Sequence, residues 1–102
     1  MLGEVKMRNL SQIQTTLSSH KGDLFQRYHL KNMAIFGSYA RNEQKKTSDL
    51  DILVEFSAPI GVEFIDLANY LELLLKLRVD LVSKNGIKPK YYNEIKNDLK
   101  YV

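Results

Sequence analysis

Two of the most apolar, β-branched segments in this chain each carry an aspartate: Leu50-Asp51-Ile52-Leu53-Val54-Glu55-Phe56 and Arg78-Val79-Asp80-Leu81-Val82. An ionised carboxylate inside an apolar strand is costly to bury, so a fold that accepts both must supply a separate face, a partner or a ligand. Side chains alternate along a strand. Asp49 and Asp51 therefore fall on one side of their strand, while Ile52 and Val54 fall on the other, toward a core. Val79 and Leu81 face the core in the same way and turn Asp80 outward. If the two strands pair, three carboxylates converge, and like charges that close raise one another's pKa values until a cation neutralises them. Hard divalent cations such as Mg2+ suit an all-oxygen environment of this kind.

The remaining segments alternate with these two. Leu10, Ile13 and Leu17 recur at helical spacing with Ser11 as a cap, and Gly22-Asp23 opens a second short helix through Leu24 and Tyr28. Met33-Ala34-Ile35-Phe36 is a buried strand stopped at Gly37-Ser38, and a short helix follows it. Phe64, Leu67, Leu71 and Leu74 mark one side of a helix from about Val62 to Lys76, with Ile65, Ala68 and Leu75 widening its apolar face. Pro89 starts a last helix in which Tyr91, Ile95 and Leu99 stack. Strands interleaved with helices predict an α/β (α+β) architecture, a small mixed β-sheet flanked by helices. With 102 residues and no internal repeat, residues 1–102 read as a single domain.

The absence of cysteine excludes disulfides and thiolate metal sites. His20 and His29 lack a third ligand and read as surface residues, not as a zinc site. No stretch approaches the roughly 20 apolar residues of a membrane span, and the first nine residues lack the apolar run of a signal peptide, so no membrane partner and a cytoplasmic location are expected. The net charge of +3 is local: Lys84–Val102 holds five lysines and two acids, and the preceding residues balance. A duplex-binding footprint is a continuous stripe, so nucleic acid is not expected as a direct ligand. That tail, with Tyr91, Tyr92 and Tyr101, reads as a solvated helix or a contact for an acidic partner.

Gly37-Ser38 supplies the complement to the carboxylates. A glycine at a strand end followed by a helix start presents backbone N–H groups, and here the hydroxyl of Ser38, to an anion such as phosphate. Arg41 adds charge one turn on. Phosphate donors beside clustered carboxylates describe metal-assisted phosphoryl or nucleotidyl transfer. Taken singly, Gly37-Ser38 is a generic turn and Asp49 a turn residue after Thr47-Ser48; their joint occurrence in this order points to chemistry.

Gly37-Ser38-Tyr39-Ala40-Arg41, a polar loop, then Asp49-Leu50-Asp51-Ile52-Leu53-Val54 resembles the Gly-Ser-x-Ala-x-Gly…Asp-x-Asp signature of DNA polymerase β-like nucleotidyltransferases. The short length, the Leu-Val-Glu-Phe continuation, the later Val-Asp-Leu-Val and the Lys-Pro ending resemble the minimal nucleotidyltransferase (MNT) antitoxins paired with HEPN ribonuclease toxins. The resemblance implies the polymerase β-like fold, with Asp49 and Asp51 as metal ligands and Asp80 as the third carboxylate, which orients or deprotonates the attacking hydroxyl. It implies that Gly37 and Ser38 hold the triphosphate, with ATP as donor and two Mg2+ ions. It further implies that AMP is moved onto a tyrosine of a HEPN toxin, silencing it. Asn42 stands where the pattern has glycine, and asparagine tolerates a left-handed backbone better than most residues. Two alternatives stay open: a non-catalytic antitoxin that masks the toxin by contact, and a small-molecule nucleotidyltransferase of the aminoglycoside type. Assembly with itself or with the toxin is also open.

Overall fold

The computed structural model describes residues 8–102. Two helices, α1 (Leu10–Ser19) and α2 (Lys21–Arg27), lead into β1 (Leu30–Phe36), the single turn α3 (Gly37–Ala40) and β2 (Leu50–Phe56). Helix α4 (Glu63–Leu75), β3 (Val79–Ser83), α5 (Pro89–Ile95), a 3-10 turn (Lys96–Asp98) and β4 (Lys100–Tyr101) follow. The sheet order is β3-β2-β1-β4, with β2 and β3 parallel and the other two pairs antiparallel. A parallel pair needs a long connection, which α4 provides.

This mixture of directions positions the site. Because β2 and β3 run the same way, the aspartates near their N-terminal ends lie side by side, Asp51 opposite Asp80. Because β1 runs the other way, its C-terminal end arrives beside them, Phe36 opposite Asp51. Strand alternation then gives the sheet two faces. Leu50, Ile52 and Val54 face the main core with Ile13, Leu17, Leu24, Tyr39, Leu67, Leu71 and Leu75. Phe36 and Leu53 face the other way and are covered by Ile95 of α5, with Val82, Ile87, Tyr92 and Leu99 around them.

Several expectations need correction. Asn9, not Ser11, caps α1: its side chain accepts from Gln12 N at 2.8 Å, and Gln12 Oε1 accepts from Asn9 N at 3.0 Å, a reciprocal capping box. Helix α2 begins at Lys21, so Gly22 lies inside its first turn. On α4, Leu75 is buried as expected, but Ile65 is 62% exposed and belongs to the solvent side. Helix α5 stops at Ile95; Leu99 leaves the helical path with ψ 124° and reaches the second core from extended backbone. The chain then adds β4, an unexpected fourth strand on the outer edge of β1. The basic tail is therefore not a freely solvated helix, since its apolar residues form one layer of the fold.

The two sides of α4 make a direct test. Leu71→Ala removes a fully buried side chain and should cost about 2–5 kcal/mol in urea unfolding. Leu73→Ala, at 79% exposure, should stay within about 0.5 kcal/mol. Equal costs would contradict this orientation of the helix.

Candidate active site

The site sits where the C-terminal end of β1 meets the N-terminal ends of β2 and β3. Gly37 turns the chain out of β1 with φ +74°, a left-handed conformation that glycine adopts freely. Space is as decisive as torsion: a Cβ built on Gly37 would overlap the Asp51 carboxylate. The glycine thus lets backbone and carboxylate approach closely. Tyr39 and Ala40 anchor the α3 turn in the main core, fixing Ser38 between strand and turn. Because α3 is only one turn long, anion binding at this point rests on local N–H groups and the Ser38 hydroxyl, with little support from a helix dipole.

Asp51 is half-buried and its carboxyl is pushed up to about 6. Burial is the largest cause, followed by the charge of Asp80, the side-chain hydrogen bond with Asp80 and the charge of Asp49; Arg41 opposes them weakly. The two aspartates face each other across the β2–β3 pair, so each carboxylate feels the other's charge. Tyr39 is likewise held above the usual phenol range, first by burial and then by Asp49.

Asp49 behaves differently from the expected trio. It precedes β2, and its Oδ1 lies 3.1 Å from Arg78 Nε. Among the described residues, no three His, Cys, Asp or Glu side chains are gathered tightly enough to form a ready-made metal cage. Of the three expected carboxylates, Asp51 and Asp80 face each other across the strands, and Asp49 lies near enough for its charge to raise Asp51 while its side chain turns toward Arg78. That ion pair is weak, because both partners are more than half exposed and such surface bridges contribute roughly 0–1 kcal/mol. The donor chemistry fits Mg2+: oxygen ligands only, with a cross-strand carboxylate pair whose negative charge a cation would relieve.

Arg41 is also committed. Its Nη1 lies 2.8 Å from Asp98 Oδ2 and its Nε 3.0 Å from Glu43 Oε1. Asp98, from the 3-10 turn 57 residues later, carried no sequence signal as a partner of the motif. Tyr91 was also missed as part of this environment; its ring meets Phe36 edge-on at 6.4 Å between centroids. Asn42 has φ 59°, so it adopts the left-handed backbone that the motif glycine would, with an exposed side chain. Lys45 and Lys46 lie exposed in the loop before β2, and His29 is exposed as well.

A model of the nucleotidyltransferase domain matches residues 17–102, and the chain belongs to that family. It is a nucleotidyltransferase with the small mixed sheet of the minimal form. A Methanocaldococcus jannaschii relative, named "putative protein adenylyltransferase", is 48% identical over 98 residues, spanning 94% of this chain and 100% of that protein. Protein adenylyltransferase MntA of Thermococcus cleftensis is 42% identical over 97 residues, spanning 94% and 98%. A solved "putative minimal nucleotidyltransferase" superposes with a TM-score of 0.80 at 29% identity, over 94% of this chain and 98% of that one. A chain from the complex of tri-AMPylated Shewanella oneidensis HEPN toxin with MNT antitoxin shares the fold, with a TM-score of 0.65 at 22% identity over 87% and 70%. No helix among the described residues is long and apolar enough to cross a membrane.

Two outcomes test the site. Gly37→Ala should cost about 1–3 kcal/mol of stability through its backbone alone and should also displace the Asp51 carboxylate, so transfer activity falls even in the folded fraction. For Asp51, a carboxyl whose folded pKa is raised binds its proton more tightly in the folded chain than in the unfolded one. Its contribution is therefore full at low pH and is lost as pH rises toward and through about 6. In EDTA, the melting temperature of the native chain relative to Asp51→Asn should drop between pH 4 and 7. A relative rise over that window would contradict the pairing with Asp80.

Proposed function

We propose that this chain is an antitoxin that transfers AMP from ATP to a tyrosine of a partner HEPN RNase toxin in a Mg2+-dependent reaction and so neutralises it. The observation that carries this reading is the cross-strand pair Asp51 and Asp80, set against the Gly37-Ser38 turn. Support for the acceptor comes from relatives: Thermococcus MntA is a protein adenylyltransferase, and the fold recurs in a complex holding a tri-AMPylated HEPN toxin.

In this account Asp51, Asp80 and Asp49 would hold Mg2+, which when bound would supply charge neutralisation for the triphosphate and for the leaving pyrophosphate. The chain's own groups do the rest. The backbone at Gly37 and the Ser38 hydroxyl hold phosphate oxygens, and Arg41 adds positive charge near the same turn, steadied by Asp98. Asp80, exposed at the mouth, orients the incoming tyrosine hydroxyl and takes its proton as the new ester bond forms. In this reading the acceptor is carried by another protein, in keeping with the relative named protein adenylyltransferase MntA.

Mass spectrometry of the HEPN toxin after incubation with this chain, ATP and Mg2+ checks the proposal. Added AMP is expected on a toxin tyrosine, and Asp49→Asn with Asp51→Asn should lower its rate by at least about 100-fold, the scale of losing several kcal/mol of transition-state charge stabilisation. Unmodified toxin, or neutralisation that survives loss of both aspartates, would favour masking by contact. Activity on an aminoglycoside without protein partner would favour the small-molecule reading.

A further inference from the structure

The sheet face that carries Phe36, Asp51 and Asp80 is the face that α5 covers. Ile95 packs on Phe36 and Leu53, and Tyr91, one helical turn earlier, lies on the same side of α5. Its ring meets Phe36, the residue opposite Asp51, edge-on. The neighbouring tyrosine is placed differently: Tyr92 packs into the second core, with Lys84 Nζ 5.1 Å from its ring centroid. Tyr91 remains 39% exposed on the side of α5 that meets Phe36.

From this placement we propose that Tyr91 is itself an acceptor: the chain adenylylates its own Tyr91 when no partner occupies the acceptor side of the site. The inference rests on the nucleotidyl-transfer reading given above. In the step, the Tyr91 hydroxyl oxygen attacks the α-phosphorus of ATP and forms a phosphodiester-type Tyr–O–P bond. The bond between the α-phosphorus and the bridging oxygen breaks, and pyrophosphate leaves. The phenolic proton passes to Asp80. The electrostatics agree with a hydroxyl near those carboxylates, since Tyr91 is held above the usual phenol range first by burial and then by Asp51 and Asp80. Asp80, exposed on the same sheet face, is the group that takes the proton in this proposal. Tyr101, on the edge strand β4, and Tyr92 lack this combination of exposure and contact with Phe36.

The test uses the full chain purified alone, incubated with ATP and Mg2+, and read by intact mass and fragmentation of the 91–96 peptide. A species heavier by one AMP, carried on Tyr91, is expected; Tyr91→Phe should reduce it to background, and Tyr92→Phe should retain it. The same preparation is assayed in parallel on a HEPN toxin. Label on Tyr92, label that persists in Tyr91→Phe, or an unlabelled chain that still modifies the toxin would overturn self-modification and leave the transfer reading intact. An unlabelled chain with an unmodified toxin would overturn both.

Discussion

The parallel register of β2 and β3 is the constraint on which the rest depends, because it sets Asp51 directly opposite Asp80. Two carboxylates facing each other repel, and the repulsion adds to burial, the larger cause, in pushing the Asp51 carboxyl up to about 6. Arg41 opposes it only weakly, being held by Glu43 and Asp98, while Arg78 is held by Asp49. The strain is local and sits on a well-packed support. Each aspartate is flanked by residues in or against the main core, Leu50 and Ile52 in one strand and Val79 and Leu81 in the other, so the pair cannot separate without disturbing that core. Such a carboxylate pair in fixed geometry has donor chemistry that fits a hard cation.

The two faces of the sheet divide the labour. One face joins α1, α2 and α4 into the main core and supplies rigidity. The other is smaller, closed by α5 and the segment after it, and it borders the site directly through Phe36. The C-terminal residues therefore contribute to the site three times: Tyr91 by its ring against Phe36, Asp98 by its bond to Arg41, and β4 by pairing with β1.

Much of this was legible in the residues themselves. Strand β2 was anticipated over Leu50–Phe56 because its apolar, β-branched run has one reading, and the helix after it was displaced by only a residue at either end. The motif residues Gly37, Ser38, Asp51 and Asp80 could be singled out because local spacing and strand alternation act over a few residues. What escaped notice was long-range. The turning of Asp49 toward Arg78 and the tether from Arg41 to Asp98 depend on tertiary approach between segments 29 and 57 residues apart. Strand β4 has two polar or aromatic residues and no alternation to betray it; only the open edge of β1 makes it a strand. The Ser11 expectation failed because a serine inside the first turn looks like a cap until the Asn9–Gln12 exchange is seen.

The most direct check on the central claim is paramagnetic broadening of backbone amide signals by Mn2+, added with a non-hydrolysable ATP analogue to the isotope-labelled chain. The amides of Gly37, Ser38, Asp51 and Asp80 should fade first and together, with the amides of Asp51 and Asp80 spared when both residues are replaced by asparagine. Broadening centred on another acidic region, such as Glu55 or Glu63 and Asp66, would contradict it.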